Sequence, residues 1–243
     1  MAENHILEQV RAKLASLEDT IIIGLFERAR FMTNMRMYVP GVIAVPDRFY
    51  FPDGNGIRFE GSFFDFMLLL REAADASAGR YEHPEEFPFS ERLPKSLVQR
   101  EKVESPVKKA GISKNKKIRA AYFAKLPKIC PQGDDKEYGS AAVCDVRCLQ
   151  DISRRVHLGM QVAEAKFQED TEGYNLLVKA GYFEGLREKL RNPEVEKAVL
   201  ERVRQKGERY GINPEFIARF FEEDIMPLTI DVEVEYLMER AEK

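Results

Sequence analysis

The sequence has few of the residues that form disulfides, bind zinc or act as nucleophiles. Its three cysteines, Cys130, Cys144 and Cys148, are an odd number without the paired spacings of a metal site, so we expect reduced thiols. Its three histidines are scattered singly along the chain. Neither a zinc site nor a serine or cysteine triad is easily assembled from this set.

Long apolar runs and an excess of one charge are also lacking. No window reaches about eighteen apolar residues, and the N-terminal stretch MAENHILEQV has no secretory signal pattern. With 38 basic and 41 acidic residues, the net charge of −3 favours neither nucleic acid nor anionic membrane as a partner. The basic segment 108–119 is predicted to be a solvated loop leading into a helix over 118–125. We expect a cytoplasmic protein that holds any anion in a local site.

Helical periodicity extends over most of the 243 residues. Apolar residues spaced by three and four predict a first helix over 5–31 and a central helix of about seven turns over 145–170. No segment alternates as a strand does, and the proline-rich stretch 31–61 is predicted to be a loop or a set of short turns. We predict an all-α fold, a multi-helix bundle with long helices, that forms a single domain over residues 1–243.

Local capping chemistry predicts where shorter helices begin. Ser62 with Asp65 resembles a capping box that opens a helix over 63–78. Asn192 before Pro193 is typical of a helix start, with the asparagine as the cap. The remaining predicted helices cover 174–179, 183–190, a segment from Asn192 to its stop at Gly211, and two pieces that meet near Pro227.

Two long cations lie on one row of the central helix, beside its apolar stripe. Arg155, Gly159, Val162 and Lys166 follow one another at spacings of four, three and four. Eleven residues separate the two cations, so their Cα atoms are about 16 Å apart, and each side chain can lean inward by about 6 Å. A compact dianion would fit in the gap, over Gly159 and Val162. The alternative interpretation is a solvated basic edge that binds no ligand.

Long runs spread along the chain resemble a known enzyme family. They are LEDTIIIGLFERARF at 17–31, FEGSFFDF at 59–66, GRYEHPEEFPF at 79–89, GDDKEYGSAAVCD at 133–145, CLQDISRRVHLGMQVAEAKFQ at 148–168 and IMPLTIDVEVEYLMER at 225–240. In this order they resemble the all-helical eukaryotic chorismate mutases of fungi and plants. The resemblance implies a homodimer in which each subunit rearranges chorismate to prephenate inside its own helix bundle, on the branch toward phenylalanine and tyrosine, without a cofactor.

The resemblance also implies roles for individual residues. Arg11 and Arg155 match the arginines that hold the two substrate carboxylates. Lys166 and Glu233 match the pair that hydrogen-bonds the ether oxygen of the breaking bond. Taken without the resemblance, Arg11 and Glu18 are equally well interpreted as surface charges of the first helix. The further polar contacts that match are Asn192, Glu196 and Thr229, with helix capping or helix start as the alternative role of the first and the last.

The chemistry of the reaction agrees with the residues present. A pericyclic rearrangement needs a flexible dianion held in a compact chair and support for negative charge on the ether oxygen. Glu233 can give that support only when protonated, because a carboxylate would repel the oxygen. We expect burial, with Asp231 and Glu235 nearby, to raise the pKa of Glu233, so that activity falls as the pH rises through that value.

A second site, between subunits, is implied by the same resemblance. In relatives tyrosine inhibits and tryptophan activates through residues that Arg80, Gly139 and Ser140 match here. Ser140 is also a candidate N-cap of the central helix. The chain departs from the fungal pattern of regulation at Gly79, Val143 and Asn213.

Two rival functions are left open by the sequence. One is a helical dimer that has lost catalysis and acts as a binding or interaction module. The other is an enzyme of similar fold that eliminates pyruvate from isochorismate. The intact set of charges argues against the first, because a scaffold has no reason to keep five charges pointing into one bundle.

Overall fold

The computed structural model describes residues 2–98, 105–107 and 111–241, and the predicted all-α class is confirmed. The α-helices, in chain order, are α1 (Ala2–Arg28), α2 (Phe63–Ser77), α3 (Asn115–Ile129), α4 (Tyr138–His157), α5 (Gly159–Glu169), α6 (Thr171–Lys179), α7 (Phe183–Leu190), α8 (Pro193–Tyr210), α9 (Pro214–Phe220) and α10 (Met226–Ala241). Within the described ranges, no helix is long and apolar enough to cross a membrane. Part of the predicted basic loop, 108–110, lies outside the described residues.

The centre of the bundle is α1 packed along α4 and α5. Its predicted apolar stripe is buried at Leu17, Ile21 and Leu25, so α1 contributes to the core over several turns. The helix ends at Arg28, three residues before the predicted end. There the Nε of Arg28 lies 2.7 Å from a carboxylate oxygen of Asp145 on α4. A buried ion pair therefore joins the two longest helices at one end.

The single helix predicted over 145–170 is two helices, because the helical pattern is interrupted at Leu158. Two local features accompany the break. Gly159 has poor helix propensity, and the His157 ring nitrogen lies 2.7 Å from the Ser153 carbonyl, which belongs to the preceding turn. Leu158 itself keeps right-handed helical angles (φ −61°, ψ −15°). The buried stripe still runs across the break, through Leu149, Ile152, Val156, Met160, Ala163 and Phe167.

The start of α4 also differs from the prediction. The helix begins at Tyr138, so Ser140 lies inside the first turn and is not the N-cap. The loop ahead of it explains the earlier start. Asp135 accepts hydrogen bonds from the backbone N–H of Glu137 at 3.0 Å and of Met32 at 2.8 Å, which fixes the chain before the helix begins.

The segment 31–61 contains a short hairpin that the sequence did not predict. Strands β1 (Arg48–Tyr50) and β2 (Gly56–Arg58) pair antiparallel, with Phe49 opposite Ile57. Strands of this length are too short to show alternation in the sequence. Burial of Phe49 against α2 accounts for their position, which is a tertiary contact rather than a local signal.

The capping signals predicted for α2 and α8 are confirmed. The Ser62 hydroxyl accepts the Asp65 N–H at 3.2 Å and the Asp65 carboxylate accepts the Ser62 N–H at 3.0 Å, which completes a capping box at the start of α2. The Asn192 side chain accepts the Val195 N–H at 3.2 Å at the start of α8. That helix ends at Gly211, whose φ of 76° lies in the left-handed region that favours glycine.

The last two helices meet through a π-helical turn over Phe221–Ile225, and the predicted junction near Pro227 is confirmed. Proline has no backbone N–H to donate, so the helical bonding pattern must change around it. The arrangement places Thr229 and Glu233 on one face of α10, as predicted from their spacing. That face packs against α5.

Candidate active site

A cavity of about 630 Å³ lies among α1, α4, α5, α8 and α10. The residues with a predicted role in substrate binding all line it: Arg11, Arg155, Lys166, Asn192, Glu196, Thr229 and Glu233. They come from five helices and from the residue that caps α8, so the packing of the bundle assembles the site. A cavity of this volume suits a small molecule.

Arg155 is buried near the end of α4 but has few partners. The residue is only 4% exposed, and one guanidinium N–H donates to the Thr229 hydroxyl at 3.4 Å. Among the residues that the structure describes, its Nε has no hydrogen-bond partner. Burial lowers the pKa of Arg155 to about 10, although Glu18 and Glu233 favour the charged form, so the group is a cation at neutral pH. A buried cation with an unmet donor can bind a carboxylate through parallel hydrogen bonds.

Lys166 and Glu233 face the same part of the cavity. The Lys166 ammonium lies 2.5 Å from the Leu190 carbonyl oxygen at the end of α7 and 3.3 Å from a Glu233 carboxyl oxygen. Glu233 is 3% exposed. The main-chain contact fixes the cation, and the longer contact leaves both groups with hydrogen-bonding capacity toward the cavity.

Burial raises the pKa of Glu233, which agrees in direction with the sequence prediction. Lys166 and Arg155 oppose the shift, because a positive charge favours the carboxylate. Glu196, across the cavity on α8, adds to the rise as a like charge. The protonated form of Glu233 therefore persists to a higher pH than that of an exposed glutamate.

The prediction that Asp231 and Glu235 help to raise the pKa of Glu233 is wrong. Asp231 pairs with Arg187 of α7 at 2.5 Å, and Glu235 pairs with Lys114 just before α3. Residues two apart on a helix do not face each other, so both carboxylates point away from the cavity side of α10. The like charge that matters comes from another helix, which spacing along α10 could not reveal.

The further polar residues of the site combine two roles. Glu196 accepts two hydrogen bonds from Arg191, at 3.0 and 2.7 Å, and these lower its pKa. Asn192 caps α8, and the Thr229 hydroxyl donates to the Ile225 carbonyl at 2.8 Å. The capping role considered for Asn192 is therefore present, whereas the Thr229 bond runs back to the preceding turn and is not a cap. Both residues also line the cavity.

The gap predicted over Gly159 is filled by protein. A Cβ at Gly159 would lie 3.0 Å from both the Thr229 Cγ2 atom and the Thr229 carbonyl oxygen, and 3.3 Å from the Glu233 Cγ atom. The glycine therefore allows α10 to approach α5 closely. Val162, the other residue of the predicted gap, does line the cavity. The space for a ligand lies beside the row of cations, on the side of Val162.

Comparisons with known proteins decide which family has this arrangement. A family model described as chorismate mutase type II matches residues 138–234. A chorismate mutase of Trichoderma parareesei is 37% identical, over 96% of this chain and 92% of the relative. The chain belongs to the chorismate mutase family. The resemblance stated from the sequence is thereby confirmed, and the reaction of the family is the conversion of chorismate to prephenate.

Solved chorismate mutases share the whole fold. The enzyme of Candida albicans, crystallised in complex with L-Trp, has a TM-score of 0.90 at 34% identity, covering 99% of this chain and 94% of that chain. AtCM1, with tyrosine bound in an allosteric site, has a TM-score of 0.85 at 38% identity, covering 96% of each. Coverage of 96–99% means that nearly the whole chain, and not only its central helices, shares this architecture.

The sequence did not decide whether Glu18 is a surface charge, and the structure places it in this chorismate mutase cavity. It is fully buried, lines the cavity, and accepts hydrogen bonds from Arg202 at 2.6 and 2.7 Å and from Lys206 at 3.1 Å. Two turns separate it from Arg11, which lines the cavity from the exposed part of α1. Its partner Arg202 is 184 residues further along the chain, so periodicity could not predict the burial.

The predicted effector residues do not meet within one chain. Arg80 binds Asp75 at 2.9 Å and Glu86 at 3.0 Å, and Gln150 of α4 donates to the same Asp75 carboxylate. Ser140, with Gly139 beside it, lies ten residues before Gln150, about 15 Å away along the helix axis. A site that used both groups would have to draw them from two copies of the chain.

Proposed function

We propose that this chorismate mutase holds the two carboxylates of chorismate with Arg11 and Arg155 and supports the ether oxygen with Lys166 and Glu233. The observation that carries the proposal is the buried guanidinium of Arg155. Its Nε has no partner in the described part of the chain, and it lies beside a cavity that the other three residues also line. A buried donor without a partner costs free energy, and an anionic ligand removes that cost. A dicarboxylate is the ligand that two arginines and a lysine would recognise.

The reaction requires confinement and charge more than covalent chemistry. The ether C–O bond of chorismate breaks while a C–C bond forms within the same molecule, so no protein atom bonds to the substrate. Side chains fixed between packed helices restrict the flexible substrate to a compact conformer. Lys166, fixed by the Leu190 carbonyl, places a positive charge where negative charge grows on the ether oxygen.

Glu233 contributes as a neutral acid. Its raised pKa supports a protonated carboxyl that donates a hydrogen bond to the ether oxygen. Glu196, whose pKa is lowered by Arg191, is suited to accept a hydrogen bond from the substrate hydroxyl. Thr229 orients Arg155, and Asn192 lies at the edge of the same cavity.

A steady-state assay tests the proposal and separates it from its rivals. Loss of chorismate absorbance, with a product that acid converts to phenylpyruvate, is expected for the wild-type chain. Arg155→Ala should lower kcat/KM about a thousandfold, because it removes a buried ionic contact. Arg154→Ala is the matched control, since Arg154 is the adjacent residue and is mostly exposed. No turnover would favour a binding module, and pyruvate released from isochorismate would favour the lyase.

We also propose that aromatic amino acids regulate the enzyme in a homodimer. Support comes from relatives solved with tryptophan, tyrosine or phenylalanine, the last two in an allosteric site, and from the separation of Arg80 and Ser140 within one chain. Titrating tyrosine and tryptophan into the assay, with sedimentation to determine the subunit number, tests both points. An unchanged rate with either amino acid contradicts regulation, and a monomer contradicts an intersubunit site. The proposal further takes residues 1–243 as one catalytic domain of a cytoplasmic enzyme.

A further inference from the structure

We propose that Arg191 is a positioning residue that aims the carboxylate of Glu196 into the cavity. The inference rests on the proposed function, in which Glu196 contacts the substrate hydroxyl. The Nε of Arg191 lies 3.0 Å from one carboxylate oxygen of Glu196, and a terminal nitrogen lies 2.7 Å from the other. Two parallel bonds of this kind fix the plane of a carboxylate as well as its position.

Arg191 is itself fixed by the turn between α7 and α8. Its backbone N–H donates to the Arg187 carbonyl at 3.1 Å, which ends α7. The residue before it, Leu190, offers the carbonyl that holds the Lys166 ammonium. Leu190 and Arg191, which are consecutive in the chain, therefore hold Lys166 of α5 and Glu196 of α8.

The geometry leaves Glu196 able to accept a further hydrogen bond. Each carboxylate oxygen has two acceptor positions, and Arg191 uses one on each oxygen. The charged groups that face this carboxylate are Arg191 from the turn, Lys166 from α5 and Glu233 from α10. Arg191 has the largest effect and lowers the pKa of Glu196, which keeps the group an acceptor at neutral pH.

A different role for Arg191 makes different predictions. Its side chain is 58% exposed, so it could instead attract the dianion directly as a free charge at the cavity. In that case its removal would matter equally with or without Glu196. If Arg191 acts through Glu196, its removal should have no further effect once the carboxylate is gone.

The test is a double-mutant cycle on the whole enzyme, with chorismate as the substrate. Arg191→Gln should raise KM about three- to tenfold and leave kcat close to wild type, because a hydroxyl contact away from the breaking bond is made in both the ground and transition states. The acid limb of the kcat/KM profile should move to higher pH. Arg191→Lys should recover only part of the lost affinity for chorismate, because lysine keeps the positive charge but cannot donate two parallel hydrogen bonds.

The same cycle also defines the results that would contradict the inference. Glu196→Gln alone and Glu196→Gln with Arg191→Gln should have equal KM values. Additive losses, or an unshifted acid limb in Arg191→Gln, would overturn the inference, and so would a wild-type KM in Glu196→Gln. Arg204→Gln, which removes an ion pair between Arg204 of α8 and Glu215 of α9, is the control for an ordinary surface change. A wild-type chain without turnover would refute the proposed function itself, which is a separate result.

Discussion

Two buried arginines of this chain have opposite surroundings. Arg28, at the end of α1, is 0% exposed, and each of its nitrogens donates a hydrogen bond, including one to Asp145 at 2.7 Å and one to the Met32 carbonyl at 3.0 Å. Arg155 is nearly as buried, but within the described ranges it donates one hydrogen bond, of 3.4 Å to Thr229, and its Nε has no partner. The same side chain is thus saturated in one region and unsaturated in the other.

The pKa directions follow from this difference. Burial disfavours the charge of both arginines. At Arg28 the neighbouring Asp145 and Tyr38 outweigh burial and raise the pKa, whereas at Arg155 burial prevails and lowers it to about 10. A cation whose donors are all met by protein stabilises the fold, and one with an unmet donor carries a cost that a ligand can remove. The comparison supports a structural role for Arg28 and agrees with the binding role proposed for Arg155.

The largest expected effect is the loss of activity in Arg155→Met. We expect kcat/KM for chorismate to fall about a thousandfold, or about 4 kcal/mol, because a buried ionic contact to the substrate is lost. The free energy of unfolding should stay the same or rise, because methionine fills the space without a buried charge. Steady-state absorbance and urea unfolding measure the two quantities. Near-normal activity with a large loss of stability would place Arg155 in the same class as Arg28.

Arg28→Met should show the reverse pattern. It leaves the buried carboxylate of Asp145 without its cation, so we expect the free energy of unfolding to fall by about 3 kcal/mol. The KM for chorismate of the enzyme that remains folded should be close to wild type. Arg30→Met, at an exposed residue two positions on, is the control for urea unfolding. Equal stability of the two variants would remove the structural role given to Arg28.

The carboxyl groups of the two regions extend the comparison to pH. Asp145 accepts hydrogen bonds from Arg28, Tyr38 and Tyr122, whereas the contact of Glu233 with a cation is the 3.3 Å one to Lys166. Because burial raises the pKa of Glu233, kcat should fall about tenfold per pH unit above that pKa as the acid loses its proton.

In Glu233→Gln this alkaline limb should flatten, since an amide donates at every pH. Glu235→Gln, at the exposed side of the same helix, should keep the wild-type profile. The measurement is kcat for chorismate across the pH range. A wild-type rate that is flat through alkaline pH, and that the glutamine leaves unchanged, would contradict the role of a protonated Glu233.

The smallest expected effect concerns the packing of Gly159 against Thr229, the residue that contacts Arg155. In Gly159→Ala the new Cβ would press on Thr229, so we expect stability to fall by about 1 kcal/mol and kcat to fall a few-fold as α10 shifts. Gly139→Ala, whose Cβ would meet nothing within 4 Å, should be neutral or slightly stabilising. Urea unfolding of both variants makes the comparison. A Gly159→Ala protein with unchanged stability and rate would mean that this packing does not matter.

Features with local causes could be predicted from the sequence. The cap at Asn192, the capping box at Ser62 and the stop at Gly211 depend on residues within one turn of the chain, and each is present in the structure. The family resemblance and the helical spacing together also identified seven residues that line one cavity. The resemblance supplied the roles, and helical spacing supplied the shared faces of Arg155 with Lys166 and of Thr229 with Glu233.

Features set by distant contacts could not be predicted. The hairpin over 48–58 depends on packing of Phe49 against α2. The burial of Glu18 depends on Arg202, and the filling of the space over Gly159 depends on α10. Periodicity shows which face of a helix is buried but not which residue of another helix covers it.

The most direct test of the central claim is thermal unfolding of the wild type and of Arg155→Met, each titrated with prephenate, the dicarboxylate product. If Arg155 is kept unpaired for an anionic ligand, the variant should start at an equal or higher melting temperature. Prephenate should then raise the melting temperature of the wild type with the logarithm of its concentration and leave the variant unchanged. Equal ligand-induced shifts in the two proteins would contradict the account.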